Sequence, residues 1–319
     1  FWIFSDIMYS KNYNSVLENP VMPGAKWFSG SELNYAQNLL KGDPDQIAII
    51  SIGENISPKT LTFKELNHRV SSVQKELFKL GVKKGTIVAG FVPNCAETVI
   101  SMLAVSSLGG VWTSCSPDFG ANGVVDRFGQ VNPHILITSN GYSYNGKLFK
   151  LEEKVNGVLE SIDSIRHIVE IEYVDIKSNF NHDSIISFGD ILNGEQTKPT
   201  FEQLPFNHPL FIMYSSGTTG PPKSIVHSSG GTLIQHMKEH QLHCDIKAGK
   251  SKIFWFTTCG WMMWNWLVSG LSSGSTIVLY DGSPSYPSLE RLWKMIDDLN
   301  ITHFGTSPKF LNACDSANF

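Results

Sequence analysis

The stretch Thr62–Val92, TFKELNHRVSSVQKELFKLGVKKGTIVAGFV, limits the possible folds more than any other part of this chain. Phe63, Leu66, Val70, Val73, Leu77 and Leu80 recur at spacings of three and four, which places them on one face of a helix. Thr62 and Glu65 form a capping box at its start, and Gly81 supplies the stop. Directly after it, TIVAGFV (86–92) is an apolar, β-branched run bounded by Gly85 and Pro93, the composition of a strand. A helix-length segment from Ala96 to Leu108, the run VWTSC (111–115), a helix around Asn122–Val131 and the run HILITS (134–139) continue the pattern. Such alternation predicts an α/β fold in which a parallel sheet is covered by helices.

Between Gly141 and Gln203 the signal weakens, with a strand at His167–Tyr173 and a short amphipathic piece at Ser184–Leu192. The Asn/Ser/Pro-rich stretch Gln196–Pro209 reads as a connection. Alternation then resumes: strand 210–214, SIVHS at 224–228, helix 232–243, strand 252–258, a Trp/Met-rich helix 261–271, strand 276–280, helix 288–299 and strand 301–305. We therefore expect two α/β subdomains, 41–205 and 206–319, facing each other across a cleft and preceded by an extension, 1–40. No repeat of solenoid period is visible.

At 319 residues and 41% hydrophobic, the chain can bury one large core or two medium ones. Its net charge of -4, with no dense Lys/Arg block, argues against nucleic acid or an anionic membrane as partner. Five cysteines without a C-x-x-C pair point away from a disulfide framework and toward a reducing, cytoplasmic compartment. No run approaches the roughly 20 apolar residues of a membrane span. FWIFSDIMYSK lacks a signal-peptide pattern and an initiator methionine, so the chain reads as a piece of something longer.

The segment MYSSGTTGPPKS (213–224) follows the apolar run Leu210–Met213 and gathers hydroxyls, two glycines, Pro-Pro and a lysine. It does not match the phosphate-loop pattern G-x-x-x-x-G-K-[ST], because Pro222 stands before Lys223. Gly217 and Gly220 still allow backbone N–H groups to turn inward, and Ser215, Ser216, Thr218 and Thr219 add donors. Pro221-Pro222 aims the Lys223 ammonium, a mobile point charge suited to a terminal phosphate. Loops after the C-terminal ends of α/β strands are where such sheets bind ligands, so the segment suits a polyphosphate held along its length.

YSSGTTGPPK resembles the phosphate loop of the adenylate-forming superfamily, which includes acyl-CoA synthetases, firefly-type luciferases and peptide-synthetase adenylation domains. WFSGSELNYAQNLL (27–40) is similar to the N-terminal signature of its acetyl-CoA-synthetase-like branch. SPDFG (116–120), HSSGGTLIQHMKEH (227–240), GWMMWNW (260–266) and YDGSP (280–284) resemble the acetoacetate-activating members of that branch, so the likeness runs along the whole chain.

The resemblance implies a ligase that joins acetoacetate to the α-phosphate of Mg2+-bound ATP and then passes the acyl group to coenzyme A. It assigns Ser215, Ser216, Gly217, Thr218, Thr219, Gly220 and Lys223 to the β- and γ-phosphates. It assigns Trp261, Met262, Met263, Trp264 and Asn265 to the acyl pocket, and Tyr144, Asn145, Gly146, Lys147, Met263 and Ser285 to coenzyme A. Acetyl-CoA synthetases usually show GW-x-T-G-H, whereas Trp264 and Asn265 stand here at Gly and His, which implies a differently shaped acyl site. Asn265 is the candidate to hydrogen-bond the 3-oxo group. Three tryptophans and Asn265 within six residues cannot all face one core at helical spacing. The superfamily's adenine-binding segment, ribose-binding aspartate, hinge and C-terminal lysine match nothing in these residues. The chain alone is therefore expected to be inactive; the alternatives are a non-catalytic nucleotide-binding remnant and an acyl-CoA synthetase for another short-chain carboxylate. The resemblance implies no metal ligand in this chain and no certain catalytic residue.

Two rival motifs imply other chemistry. His236-Met237-Lys238-Glu239-His240 spells H-x-x-E-H, a zinc-hydrolase pattern, which we read instead as a polar, solvent-facing helix face. Gly270–Gly274 spells the G-x-S-x-G of serine hydrolases, but a helix precedes it and a strand follows, the reverse of the required context. It reads as a helix-to-strand turn.

Overall fold

The structure, a computed structural model, describes residues 1–194, 197–215 and 220–318. Its larger sheet has seven strands in the order Ile185–Ser187, His167–Ile171, Ile135–Ser139, Ile87–Phe91, Val111–Cys115, Pro209–Tyr214, Ser224–Ser228. All neighbours run parallel except the last pair, an antiparallel hairpin. A five-stranded sheet orders His303–Gly305, Lys252–Trp255, Thr276–Asp281, Ile47–Gly53, Ile56–Thr62, again parallel save for the final hairpin.

The helix Ala96–Ser107 is buried along its whole length, because it lies between the two sheets and meets apolar side chains on every side. One core cluster accordingly contains Val88 and Trp112 of the seven-stranded sheet together with Ile49, Ile277 and Leu279 of the five-stranded one. Helix Phe63–Lys79 joins this layer with Phe63, Leu66, Val70, Val73 and Leu77 buried and with both bonds of the Thr62/Glu65 capping box formed. The outer faces are closed by Val124, Phe128, Val155 and Val158 on one side and by Leu292, Met295 and Phe310 on the other.

Expected strands and helices of the first half recur with ends shifted by a few residues, such as Ala121–Phe128 for 122–131. Division of the chain at residue 205 does not follow the sheets. The hairpin 209–228 completes the seven-stranded sheet of the preceding half, and 47–62 forms the edge of the five-stranded one. Pairing of Thr276–Asp281 with Ile47–Gly53 places these distant segments side by side. Helix 232–243 is an α-helix over Ser229–Lys238 that continues as a π-helix over Glu239–His243, and 261–271 is an α-helix over Met262–Ser269. Gly270–Ser273 forms the expected helix-to-strand turn, and the Ser272 hydroxyl is buried, donating to the Ser269 carbonyl at 2.7 Å. Among the described residues, no helix is long and apolar enough to cross a membrane.

Candidate active site

The C-terminal edges of the two sheets meet. Asn94, just beyond strand Ile87–Phe91, donates through Nδ2 to the Thr257 and Tyr280 carbonyls at 3.3 Å each, both at strand ends of the other sheet. Ser114 donates to the Cys259 carbonyl at 2.7 Å, a second tie across the same seam.

At one side of this edge the hairpin Pro209–Ser228 carries the hydroxyl-rich loop at its tip. Ser216, Gly217, Thr218 and Thr219 lie outside the described residues. The base of the loop is closed twice, by Ser215 N–H on the Lys223 carbonyl and by Lys223 N–H on Ser215 Oγ, each at 3.0 Å. Gly220 has φ +145, a backbone state that favours glycine. Gln130 accepts from Ser224 at 2.8 Å and donates to the Pro222 carbonyl at 2.7 Å, pinning the exit. Arg127, a residue the sequence reading passed over, stacks its guanidinium on Phe119 at 4.6 Å and lies 6.0 Å from the Tyr214 ring. It is a second cation beside the loop.

The Trp/Met helix divides its residues among different surroundings, as helical spacing requires. Trp261 precedes the helix and is 60% exposed, whereas Met262 and Met263 are half-buried against the core. Trp264 is fully buried and donates Nε1–H to Asn94 Oδ1 at 2.9 Å, facing the seam. Trp266, on another side, donates to Glu239 Oε2 at 2.8 Å. Asn265 is buried, with Nδ2 on Met213 Sδ at 3.2 Å and Oδ1 without a partner among the described residues. Met213 belongs to the hairpin strand that leads into the loop, so Asn265 sits between the two expected subsites.

A cavity of about 300 Å3 opens at the seam, lined by Ser116, Asp118, Tyr142, Tyr144, Thr258 and Asp281 among others. Glu54, from the turn between Ile47–Gly53 and Ile56–Thr62, organises its rim. Its carboxylate accepts the N–H groups of Asn145 at 3.0 Å, Gly146 at 2.8 Å and Ser283 at 2.5 Å. These bonds join the loop 144–147 to the segment 282–286, which carries Ser285, the two places besides Met263 expected at coenzyme A. Glycine is required where Glu54 packs: a Cβ on Gly282, at φ +151, would lie 2.6 Å from Glu54 Cγ. Ser285 Oγ lies 3.3 Å from Ser283 Oγ, and Lys147 stands exposed at the start of the strand Lys147–Lys150. Asp281 accepts Asn94 N–H at 3.1 Å and the Tyr173 hydroxyl, and burial beside Glu54 and Asp118 raises its pKa to about 7. Glu54, Asn94, Tyr173 and Asp281 were missed in the sequence, since each acts through residues far away in the chain.

The H-x-x-E-H segment is not solvent-facing. His236 and His240, four residues apart, share the inner face of their helix and are 6% and 0% exposed. His236 Nδ1 meets Ser269 Oγ at 2.7 Å, which also meets the Tyr35 hydroxyl at 2.5 Å. The His240 ring lies 4.3 Å from Trp266, and among the described residues neither of its nitrogens has a hydrogen-bond partner within 3.5 Å. Desolvation lowers the pKa of His236 to about 4 and of His240 to about 3, keeping both neutral. Among the described residues no group of three or more His, Cys, Asp or Glu could hold a metal ion.

Comparison with known proteins agrees with this geometry. A family model described as "AMP-binding enzyme" matches residues 37–318. The chain is 45% identical to an acetoacetyl-CoA synthetase from Xenopus tropicalis over 97% of its length and 48% of the relative's. It is 38% identical to a malonamoyl-CoA synthetase from Penicillium aethiopicum over 98% of its length and 46% of the relative's. A solved acetoacetyl-CoA synthetase from Streptomyces lividans superposes with a TM-score of 0.95 at 42% identity, covering 99% of this chain and 49% of that one. The chain thus spans about half the length of the curated relatives it matches.

Proposed function

The chain belongs to the AMP-binding enzyme family, and from that premise we propose that it forms the phosphate-, acyl- and pantetheine-binding half of an acetoacetate–CoA ligase. The reaction is acetoacetate + ATP + CoA giving acetoacetyl-CoA, AMP and diphosphate. The observation that carries this reading is likeness along the whole chain, at 45% and 42% identity, to acetoacetyl-CoA synthetases from Xenopus tropicalis and Streptomyces lividans. Five free cysteines support a reducing compartment, the cytoplasm.

In this reading the loop Ser215–Lys223 holds the β- and γ-phosphates of ATP, which enters with its Mg2+ ion as substrate. The work of the loop is positioning and neutralisation of the departing diphosphate, with Lys223 and the nearby Arg127 as cations. The acyl group lies against the helix Met262–Ser269. Acetoacetyl and malonamoyl groups both carry a carbonyl at C3, so likeness to a malonamoyl-CoA synthetase fits a pocket that reads that carbonyl. Asn265 is its reader: half a turn of the amide carries Nδ2–H to the position of the unpartnered Oδ1, where it donates to the 3-oxo oxygen. A buried polar group left unpaired by butyrate discriminates far better than apolar fit. Coenzyme A meets Tyr144–Lys147 and Ser285, and its pantetheine arm enters the seam cavity.

Carboxylate-dependent ATP–diphosphate exchange by the complete protein, assayed with acetoacetate, acetate and butyrate, tests the proposal. Acetoacetate is expected to give the highest kcat/KM. Equal or better turnover of acetate overturns the substrate assignment.

A further inference from the structure

Asp281 is a carboxyl group that the binding scheme above leaves unused. It ends the strand Thr276–Asp281 and lines the seam cavity together with Tyr144 of the loop placed at coenzyme A. Its hydrogen-bond partners are neutral, the Asn94 amide and the Tyr173 hydroxyl, and among the described residues no ion pair includes it. Among the described residues the titratable groups around it are Glu54, Asp118, Cys95, Cys259, Tyr142, Tyr173 and Tyr280, none of them cationic. The nearby Arg291 is occupied over the Tyr280 ring, 5.3 Å from its centroid. On its other side Asp281 adjoins the acyl helix through one residue, because Asn94 gives its N–H to Asp281 and takes the indole N–H of Trp264. The carboxyl therefore stands between the expected path of the pantetheine arm and the expected seat of the acyl group.

Resting on the ligase reading above, we propose that Asp281 is the general base that takes the proton of the coenzyme A thiol as its sulfur attacks the acyl-adenylate. The S–H bond breaks and its proton passes to the Asp281 carboxylate. The sulfur electron pair forms the C–S bond to the acyl carbonyl carbon, and the C–O bond to AMP breaks with its electron pair leaving on the phosphate. No oxidant or reductant enters. Asn94 and Tyr173 hold the carboxylate in place, and the cavity mouth returns the proton to water. An uncompensated carboxyl poised near neutrality suits such a transfer, since a general base works best when its pKa lies close to the working pH.

In the complete protein, two rates separate the steps: acetoacetate-dependent ATP–diphosphate exchange, and single-turnover attack of coenzyme A on preformed acyl-adenylate. Asp281→Asn keeps an acceptor for the Asn94 amide but removes the base. Its thioester step is expected to fall about a hundredfold further than its exchange, and Asp281→Glu to recover part of the loss. In the unsubstituted protein the thioester rate should rise with pH through an inflection near 7 that Asp281→Asn abolishes. A flat pH profile of the unsubstituted protein's thioester step, or equal losses in the two steps of Asp281→Asn, overturns the proposal while leaving the ligase reading intact. Absence of any acetoacetate-dependent exchange in the unsubstituted protein overturns the ligase reading, and this proposal with it.

Discussion

The hairpin Pro209–Ser228 presents its loop as one contiguous segment, closed at its base by Ser215 and Lys223. The seam around Asn94, Glu54 and Asp281 is instead assembled from segments as much as 229 residues apart. A loop of the first kind can change its sequence without disturbing the core, and in the proposed reading it holds phosphate whatever acid is being activated. A surface built from the seam exists only once both sheets have packed, so the coenzyme and acyl contacts proposed there are coupled to folding itself.

That contrast can be broken most forcefully at Asn94. Asn94→Ala removes three side-chain hydrogen bonds across the seam and leaves the buried Trp264 indole unpaired. We expect a loss of about 3 kcal/mol in unfolding free energy by urea titration; a loss under about 0.5 kcal/mol, as for an ordinary surface change, contradicts the coupling.

The buried histidine pair behind the helix Met262–Ser269 gives the next largest effect. His236 and His240 have folded pKa values of about 4 and about 3, below the ordinary value near 6.5. The unfolded chain therefore binds more protons than the folded one as pH falls from 6.5 toward 4, and stability drops over that window. Tm should fall between pH 7 and pH 5, and His240→Phe should make the fall shallower. An unchanged slope argues that His240 is not held neutral, in a setting where His227, His303 and Glu239 are the neighbouring titratable groups.

Two substitutions of smaller effect sharpen the comparison by function. Glu54→Gln replaces an acceptor of three backbone N–H groups, and it should raise KM for coenzyme A about tenfold, or about 1.4 kcal/mol. KM for ATP should stay within about twofold, because the hairpin loop is independent of this rim. Lys223→Ala reverses the pattern, weakening ATP about tenfold while unfolding free energy changes by less than about 0.5 kcal/mol.

Local periodicity made the α/β class and the helix Phe63–Lys79 legible, since the capping box and the apolar face are contained in the segment itself. The strands 210–214 and 224–228 that flank the hydroxyl-rich segment were legible for the same reason. Strand Ile47–Gly53 escaped because IAIISIG is a short continuous apolar run, which periodicity cannot assign to strand or helix. Its omission hid the interleaving of the sheets, and with it Glu54, whose role depends on Asn145, Gly146 and Ser283 being brought alongside. The histidine segment misled because its composition is polar, while its spacing of four placed both rings on the buried face.

The central claim is that the acyl helix chooses the acid while the hairpin loop only holds phosphate. Its most direct test is the ratio of kcat/KM for acetoacetate to that for butyrate, measured on the complete protein and its Asn265→Ala and Lys223→Ala variants. The ratio should fall about tenfold or more in Asn265→Ala and stay unchanged in Lys223→Ala. An unchanged ratio in Asn265→Ala, or an equal fall in Lys223→Ala, contradicts it.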